Sequence, residues 1–202
     1  MIQNPILKAG ALLLIFTVVS IFFVSLTQDS TKDKIKYNED QLLIKRLGEL
    51  VSGYDNSILE EKFLKKTKLH GVEQSIGIYL AKKNNKIFAY LIEHTYPNGY
   101  SGNIRLLTGI DINNKLLGVR VITHRETPGL GDKIETKKSN WIEQFRGLSL
   151  LNPVKSEWKV KRDGGVFDSF TGATITPRAI VTASYQVLVL FTQKNLMKNL
   201  EK

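Results

Sequence analysis

The stretch SIGIYLAKKNNKIFAYLIEH at residues 75–94 determines the class of fold. Two runs rich in Ile, Leu, Tyr and Phe flank an Asn-Asn pair, and asparagine tolerates the left-handed backbone that a two-residue hairpin turn requires. The arrangement recurs in residues 104–111 and 115–124, which a second Asn-Asn pair separates. The sequence therefore predicts an antiparallel sheet of at least four strands.

Helical patterns lie on both sides of these strands. Leucines at 43, 47 and 50 repeat with helical spacing and predict a helix over residues 37–51. Shorter helices are expected at Ser57–Lys66 and Ser139–Arg146. A long helix is expected after Pro177, with Thr176 as its N-cap. Strands bracketed by helices predict an α+β fold, with the antiparallel sheet flanked by helices.

Residues 9–26 (AGALLLIFTVVSIFFVSL) carry no charge. As a helix they would extend about 27 Å, close to the ~30 Å of a bilayer's hydrocarbon core. A cleaved signal peptide would have a shorter apolar run and a small-residue cleavage site, and a core helix of a soluble domain would have a polar stripe. The segment therefore predicts a single transmembrane helix. Residues 1–8 are then an N-terminal tail, residues 27–36 a polar linker, and residues 37–202 the globular domain.

The net charge of +10 comes from 29 basic and 19 acidic residues, and the basic set is 22 Lys and 7 Arg. Since arginine is the preferred residue for specific phosphate and base contacts, this composition argues against a nucleic-acid partner. Lysines at 32, 34 and 36 would favour a cytoplasmic domain, but long domains translocate largely regardless of flanking charge. Charge alone leaves the orientation open.

The chain lacks cysteine, Gly-rich phosphate loops and compact histidine motifs. The lack of cysteine excludes thiol nucleophiles, zinc ribbons and iron–sulfur clusters. We therefore expect no metal site, and the sequence offers no candidate catalytic residue. The GYSG at 99–102 departs from the GxSxG of serine hydrolases. A hydrolase using Ser101 and His124 is thus a minor alternative. The other alternative is a membrane-tethered basic module that binds anionic lipid or another polyanion.

The stretch DSFTGATITPR at residues 168–178 leads from a loop into the last helix. A helix N-terminus offers free N–H groups and partial positive charge, which suit a phosphate. Thr174 would place its hydroxyl beside that end, and Gly172 and Ala173 would leave the approach open to a bulky group. A plain capped loop explains these residues equally well on physical grounds alone.

Three motifs carry a resemblance to a known family. Asp168-x-x-Thr171-Gly172-Ala173-Thr174 matches the D-x-x-[ST]-G-A-[ST] motif at which FMN-binding domains are flavinylated. The segment HRETPGLGD at 124–132 resembles the HxETPGLG of the same domain, and GYSGNI at 99–104 resembles its G-Y-S-G-x-I turn. With its anchor and length, the chain resembles the G subunits of Rnf/Rsx ion-translocating electron-transport complexes. It more distantly resembles the C subunit of the sodium-translocating NADH:quinone reductase.

The resemblance implies a flavoprotein of the bacterial inner membrane that carries electrons within a translocase complex and is not a stand-alone enzyme. A flavin transferase would join FMN to Thr174 through a phosphoester bond, which also makes the chain a phosphoprotein. The domain would be periplasmic, and its partners would be the other membrane subunits of the complex.

The resemblance also implies further cofactor contacts. Leu130 is expected to pack on one face of the flavin ring. Asp168 is expected to serve recognition by the transferase, with a local turn hydrogen bond as the alternative. Arg178, in the first turn of the last helix, is expected to help neutralise the phosphate, and a solvated surface arginine explains it equally well. The remaining implied contacts are Thr171, Gly172, Ala173, Thr127, Gly129, Gly131, Tyr100 and Ser101.

Overall fold

The computed structural model describes residues 4–193 and confirms the α+β fold. A 46-residue helix, α1 (Pro5–Leu50), begins the described chain. The elements that follow are β1 (Lys62–Leu69), β2 (Val72–Lys83), β3 (Lys86–Tyr96), β4 (Ile104–Asp111), β5 (Leu116–Thr123) and α2 (Ile175–Gln193). The chain divides into two units, Met1–Leu43 and Ile44–Lys202.

The five strands form one antiparallel sheet in the order β1-β2-β3-β4-β5, so each strand pairs with its neighbour along the chain. The four predicted strands are β2 to β5. Asn84 and Asn85 turn between β2 and β3 with φ of 50° and 60°, and Asn114 turns between β4 and β5 with φ of 60°. The asparagine turns therefore act as predicted.

Strand β1 replaces the helix predicted at Ser57–Lys66, and that prediction is wrong. Lysine, glutamate and leucine favour helices locally, but residues 62–69 pair with β2 along their whole length. His70 and Gly71 make the connecting turn, both with positive φ. Because β1 is an edge strand, its exposed lysines also discourage pairing with another chain.

The helices differ from expectation at several boundaries. The polar segment 27–36, predicted as a linker, is helical within α1, and it contains neither glycine nor proline to interrupt the helix. The helix predicted over 37–51 is the last part of α1. A 3-10 helix, Trp141–Phe145, stands where an α-helix was expected at 139–146.

Two helices in residues 4–193 are long and apolar enough to cross a membrane. In α1 none of the apolar window is buried, as a membrane anchor requires. In α2 most of the window is buried, so α2 is a core helix of the domain.

Helix α2 covers one face of the sheet and builds the main core with it. Ile180, Val187 and Leu188 are fully buried there, together with Ile92 and Leu106 from the strands. The segment between β5 and α2 extends this core with an aromatic cluster. In that cluster the rings of Phe145 and Phe167 stack with centroids 4.9 Å apart, and Trp158 lies beside them.

The opposite face of the sheet is covered by the last turn of α1. Leu47 and Leu50 are buried, as are Leu91 and Leu107 of the strands. Arg120 of β5, 4 % exposed, ties this layer together. It donates to Glu49 Oε2 over 2.8 Å and to Glu143 Oε1 over 2.6 Å, which joins the end of α1 to the Trp141–Phe145 helix.

A buried histidine pair lies between the sheet and α2. His70 Nδ1 is 2.6 Å from Gln186 Oε1, His70 Nε2 is 2.9 Å from His94 Nδ1, and His94 Nε2 is 2.9 Å from the Thr108 hydroxyl. The chain of bonds is complete with both rings neutral, since a proton on His70 Nε2 would face the N–H of His94. Burial lowers the pKa of His70 and holds the pKa of His94 well below its usual value.

We expect the thermal stability of the full chain to fall between pH 7.5 and pH 5.5. Both pKa values are lower in the folded protein, so below about 6.5 the unfolded chain binds protons that the folded chain does not. The free energy of unfolding is therefore higher above that pH and decreases below it. The decrease is up to about 1.4 kcal/mol per pH unit for each proton that only the unfolded chain binds. Thermal unfolding in detergent across this range measures the effect.

The control is His94→Gln, which keeps a neutral polar group at the site. It should be less stable than the unmodified chain at pH 7.5 and show a smaller decrease towards pH 5.5. An equal decrease in both proteins would contradict this role of the histidine pair.

Candidate functional site

The three motif segments of the sequence meet around one cavity of about 340 Å³. This volume lies within the range of about 300–1,000 Å³ that is typical of small-ligand sites. The lining residues are Tyr100, Thr127, Leu130, Gly131, Gly172, Ala173, Thr174, Ile175 and Thr176. Residues far apart in sequence are thus brought together at the N-terminal end of α2.

Buried aromatic residues hold the loop that carries the 168–174 motif. Phe167 and Phe170 are buried on either side of the exposed Asp168. The ring of Phe170 packs edge-on against Trp141 with centroids 5.0 Å apart, and Trp141 Nε1 donates to the Asp168 carbonyl over 2.8 Å. Lys161 Nζ lies 2.6 Å from Asp168 Oδ1. The alternation of buried aromatic and exposed polar residues therefore presents the motif at the surface.

Within the cavity the motif touches the second segment directly. Gly172 has φ +80°, in the left-handed region that favours glycine, and a Cβ there would lie 3.3 Å from Leu130 Cδ2. The apolar lining is open to solvent, with Tyr100 65 %, Leu130 42 % and Ile175 44 % exposed. Large exposed apolar side chains around a cavity favour a flat apolar ligand.

A tight turn shapes the segment that carries Leu130. The amides of Leu130 and Gly131 both donate to the Thr127 carbonyl, over 3.2 and 2.9 Å. The backbone amide of Gly129 lowers the pKa of Asp132, with a further contribution from Lys138. The turn therefore presents Leu130 outward while its backbone stays hydrogen-bonded.

Glu126 joins all three segments. It is only 3 % exposed, and its carboxylate accepts from the backbone amides of Tyr100, over 3.2 Å, and Ser101, over 3.0 Å. It also accepts from the buried hydroxyl of Thr176 in the first turn of α2. A Cβ on Gly131 would lie 2.9 Å from both Glu126 Cβ and Thr176 Oγ1, so glycine is required for this close approach. Glu126 was not singled out from the sequence.

The start of α2 corrects two expectations. The helix begins at Ile175, so Thr176 lies inside it and its hydroxyl bonds to Glu126, which means that it is not the N-cap. Thr174 immediately precedes the helix instead. Arg178, expected to face a phosphate, lies 2.5 Å from Asp163 through both Nε and Nη2. It is Arg162 that reaches Thr174, with Nη1 3.2 Å from Oγ1.

Five of the expected cofactor-site residues do not line this cavity: Asp168, Thr171, Gly129, Ser101 and Arg178. Ser101 lines a second, polar cavity beside His124 and Arg125. Both ring nitrogens of His124 are engaged elsewhere, because Nδ1 accepts from the Glu126 amide and Nε2 lies 2.9 Å from Glu135 Oε1. This geometry gives the hydrolase alternative no support.

Two segments of the chain match known protein families. Residues 1–50 match the family described as the RnfG N-terminal region. Residues 99–189 match the FMN-binding domain family, and this range includes every residue that lines the cavity.

Comparison with curated proteins gives relatives that match along most of the chain. The chain is 43 % identical over 190 residues to the G subunit of the ion-translocating oxidoreductase complex of Shewanella amazonensis, which covers 93 % of this chain and 88 % of that protein. It is 41 % identical over 194 residues to the protein of that name from Vibrio atlanticus, covering 95 % and 93 %. The Haemophilus influenzae protein of that name is 42 % identical over 193 residues, covering 95 % and 91 %.

Proposed function

Because the chain belongs to the RnfG family of ion-translocating oxidoreductase complexes, we propose that it is a membrane-anchored electron carrier that holds FMN through a phosphoester bond to Thr174. The observation that carries this proposal is the position of the Thr174 hydroxyl. It lies in the cavity lining directly before α2, within hydrogen-bond reach of a guanidinium group.

The residues present fit the two ends of FMN. At the phosphate end, the free N–H groups that begin α2 and the side chain of Arg162 provide positive charge beside Thr174. At the ring end, the exposed side chains of Tyr100, Leu130 and Ile175 provide an apolar surface of the kind that a flavin ring covers. The cavity thus offers a polar end and an apolar end to a molecule that has both.

This arrangement suits electron transfer without consumption of a substrate. Bound FMN supplies a ring that accepts or donates one or two electrons. Attachment through the phosphate would leave the ring free of covalent bonds to the protein, and the exposed side chain of Leu130 would supply an apolar surface to one face of it. In the turn at residues 127–131, Thr127 and Gly131 line the cavity and would bring backbone groups close to the ring. Ser101, Thr171 and Gly129 stay proposed contacts from the resemblance alone, since they lie outside this lining.

The first helix supports a location in a membrane complex, because none of the apolar window of α1 is buried. We propose that α1 anchors the chain in the bacterial inner membrane and that the domain faces the periplasm. The partners are the other membrane subunits of the complex, and a flavin transferase that reads Asp168 in its exposed loop attaches the cofactor.

The proposal is tested by mass spectrometry of the protein purified from cells that contain the transferase. Trypsin releases residues 163–178 as one peptide, since no lysine or arginine lies between Arg162 and Arg178. We expect this peptide to gain the mass of FMN minus one water. Fragment ions must place the addition on Thr174, because Ser169, Thr171 and Thr176 lie in the same peptide. An unmodified peptide, or an addition on any of these three residues, would refute the assignment.

A further inference from the structure

The segment that precedes the motif loop is fastened to it by backbone hydrogen bonds. The Lys161 amide donates to the Phe167 carbonyl over 2.7 Å, and the Phe167 amide donates to the Lys159 carbonyl over 3.2 Å. A short 3-10 turn, Lys161–Asp163, is held at the end of this pairing. The turn therefore keeps a fixed position beside the flavinylation motif.

Two arginines lie near Thr174, and they differ in what they bind. Arg178 is paired through two nitrogens with Asp163, and this pairing lowers the pKa of that carboxyl. Arg162 has no carboxylate within salt-bridge distance among residues 4–193, and its Nη1 points to Thr174 Oγ1 at 3.2 Å. Of the two, only Arg162 has a guanidinium that is not hydrogen-bonded to a carboxylate among residues 4–193.

The Thr174 hydroxyl is a weak hydrogen-bond partner for the Arg162 guanidinium, and the phosphodiester formed on that oxygen would be a strong one. A hydroxyl is neutral, whereas a phosphodiester at the same oxygen carries one negative charge and two further acceptor oxygens. A planar guanidinium binds such a group through two parallel hydrogen bonds, which are among the strongest in proteins. The free N–H groups at the start of α2 would donate hydrogen bonds to the same negatively charged phosphodiester.

We propose that Arg162 is the phosphate-binding residue of the flavin site, which orients the Thr174 hydroxyl for modification and then neutralises the phosphodiester. This inference rests on the proposed function and adds a residue that the motif does not contain. Arg178 does not fill this role, because both of its bonded nitrogens donate to Asp163.

The modification step is a phosphoryl transfer from an FMN unit activated as a phosphoric anhydride, as in flavin adenine dinucleotide. The Thr174 oxygen forms a bond to the FMN phosphorus, and the anhydride P–O bond breaks. The leaving adenosine monophosphate takes the bonding electron pair, and the hydroxyl proton passes to a base of the transferase. Arg162 stabilises the negative charge on the phosphorus oxygens and takes no part in proton transfer.

The test measures the initial rate of covalent flavin incorporation into the full chain in detergent, with purified transferase and flavin adenine dinucleotide. Fluorescence of the band on a denaturing gel reports the product. We expect Arg162→Gln to be modified about tenfold or more slowly, because losing a hydrogen bond between charged groups usually costs enough free energy for such a change. Arg162→Lys, which keeps the charge but not the fork, should be intermediate.

The matched control is Arg146→Gln, the same substitution at an exposed arginine whose nearest carboxylate in the described chain is 3.9 Å away. It should be modified at the rate of the unmodified sequence. In chains already carrying FMN, the ³¹P resonance of the phosphodiester should move in Arg162→Gln and stay unchanged in Arg146→Gln. The resonance reports directly on the surroundings of the phosphate, and it is compared in variants whose melting temperatures match that of the unmodified sequence.

The outcomes separate this inference from the proposed function. If the unmodified sequence incorporates no flavin, the proposed function fails. If it incorporates flavin and Arg162→Gln matches its rate and its ³¹P resonance, only the role of Arg162 fails. If Arg162→Gln does not fold, Arg162→Lys decides, and a rate equal to that of the unmodified sequence would overturn the inference because the fork would then be unnecessary.

Discussion

Replacing Thr174 with alanine is expected to remove all covalent flavin from the chain while leaving it folded. Within the motif at residues 168–174, Thr174 is the residue whose hydroxyl lies in the cavity lining, and Thr127, an exposed threonine that also lines the cavity, lies outside the motif. Thr171 does not line the cavity, Ser101 lines a different one, and the Thr176 hydroxyl is buried and donates to Glu126. The loss should therefore be complete, and an unstained denaturing gel viewed for flavin fluorescence measures it.

The stability of the Thr174→Ala chain should change little. Thr174 occupies the position before α2, where replacement of a capping residue costs about 1 kcal/mol. For a chain of this size that lowers the melting temperature by roughly 2–4 °C. Thr171→Ala is the control and should keep its fluorescence, while Thr174→Ser should keep part of it. A fluorescent Thr174→Ala band would contradict the assignment of Thr174 as the attachment residue.

The hairpins of the sheet could be predicted from sequence because their signal is local. An asparagine pair with left-handed backbone fixes a two-residue turn, and the apolar runs on either side of such a turn pair as antiparallel strands. Strand β1 could not be predicted in this way. Its Lys-rich segment has the local preferences of a helix, and only pairing with β2 makes it a strand. The helical conformation of residues 27–36 was also not predicted, since polar residues continue a helix when no glycine or proline interrupts it.

The candidate site divides in the same way. Gly172, Thr174 and Leu130 belong to short motifs and could be named from sequence, and the structure places them around one cavity. Glu126 and Arg162 could not be assigned roles, because their partners lie up to 50 residues away in sequence. Nothing in a local pattern distinguishes Arg162 from Arg178, and the ion pair with Asp163 that separates them exists only in three dimensions.

Replacing Glu126 with alanine is expected to damage the fold and the site together. Its carboxylate is the acceptor for two backbone amides and one buried hydroxyl. The buried Thr176 hydroxyl left without an acceptor costs roughly 1–3 kcal/mol, and loss of each amide bond at the exposed Tyr100 and Ser101 costs roughly 0.5–1.5 kcal/mol. A total of about 2–6 kcal/mol would lower the melting temperature by roughly 5–20 °C. Thermal unfolding of the full chain in detergent measures this decrease.

Flavin incorporation should fall with it, since Glu126 holds the turn at Tyr100 and the first turn of α2 in fixed positions around the cavity. Two milder variants separate positioning from stability. Glu126→Gln keeps the shape of the side chain but turns an amide N–H group towards groups that are themselves hydrogen-bond donors. Thr176→Val removes only the hydroxyl. If the carboxylate and this hydroxyl act as one unit, the double variant should incorporate flavin no more slowly than the worse single variant. Effects that simply multiply would show that Glu126 and Thr176 act independently, and the proposed link between the motif segments would then be wrong.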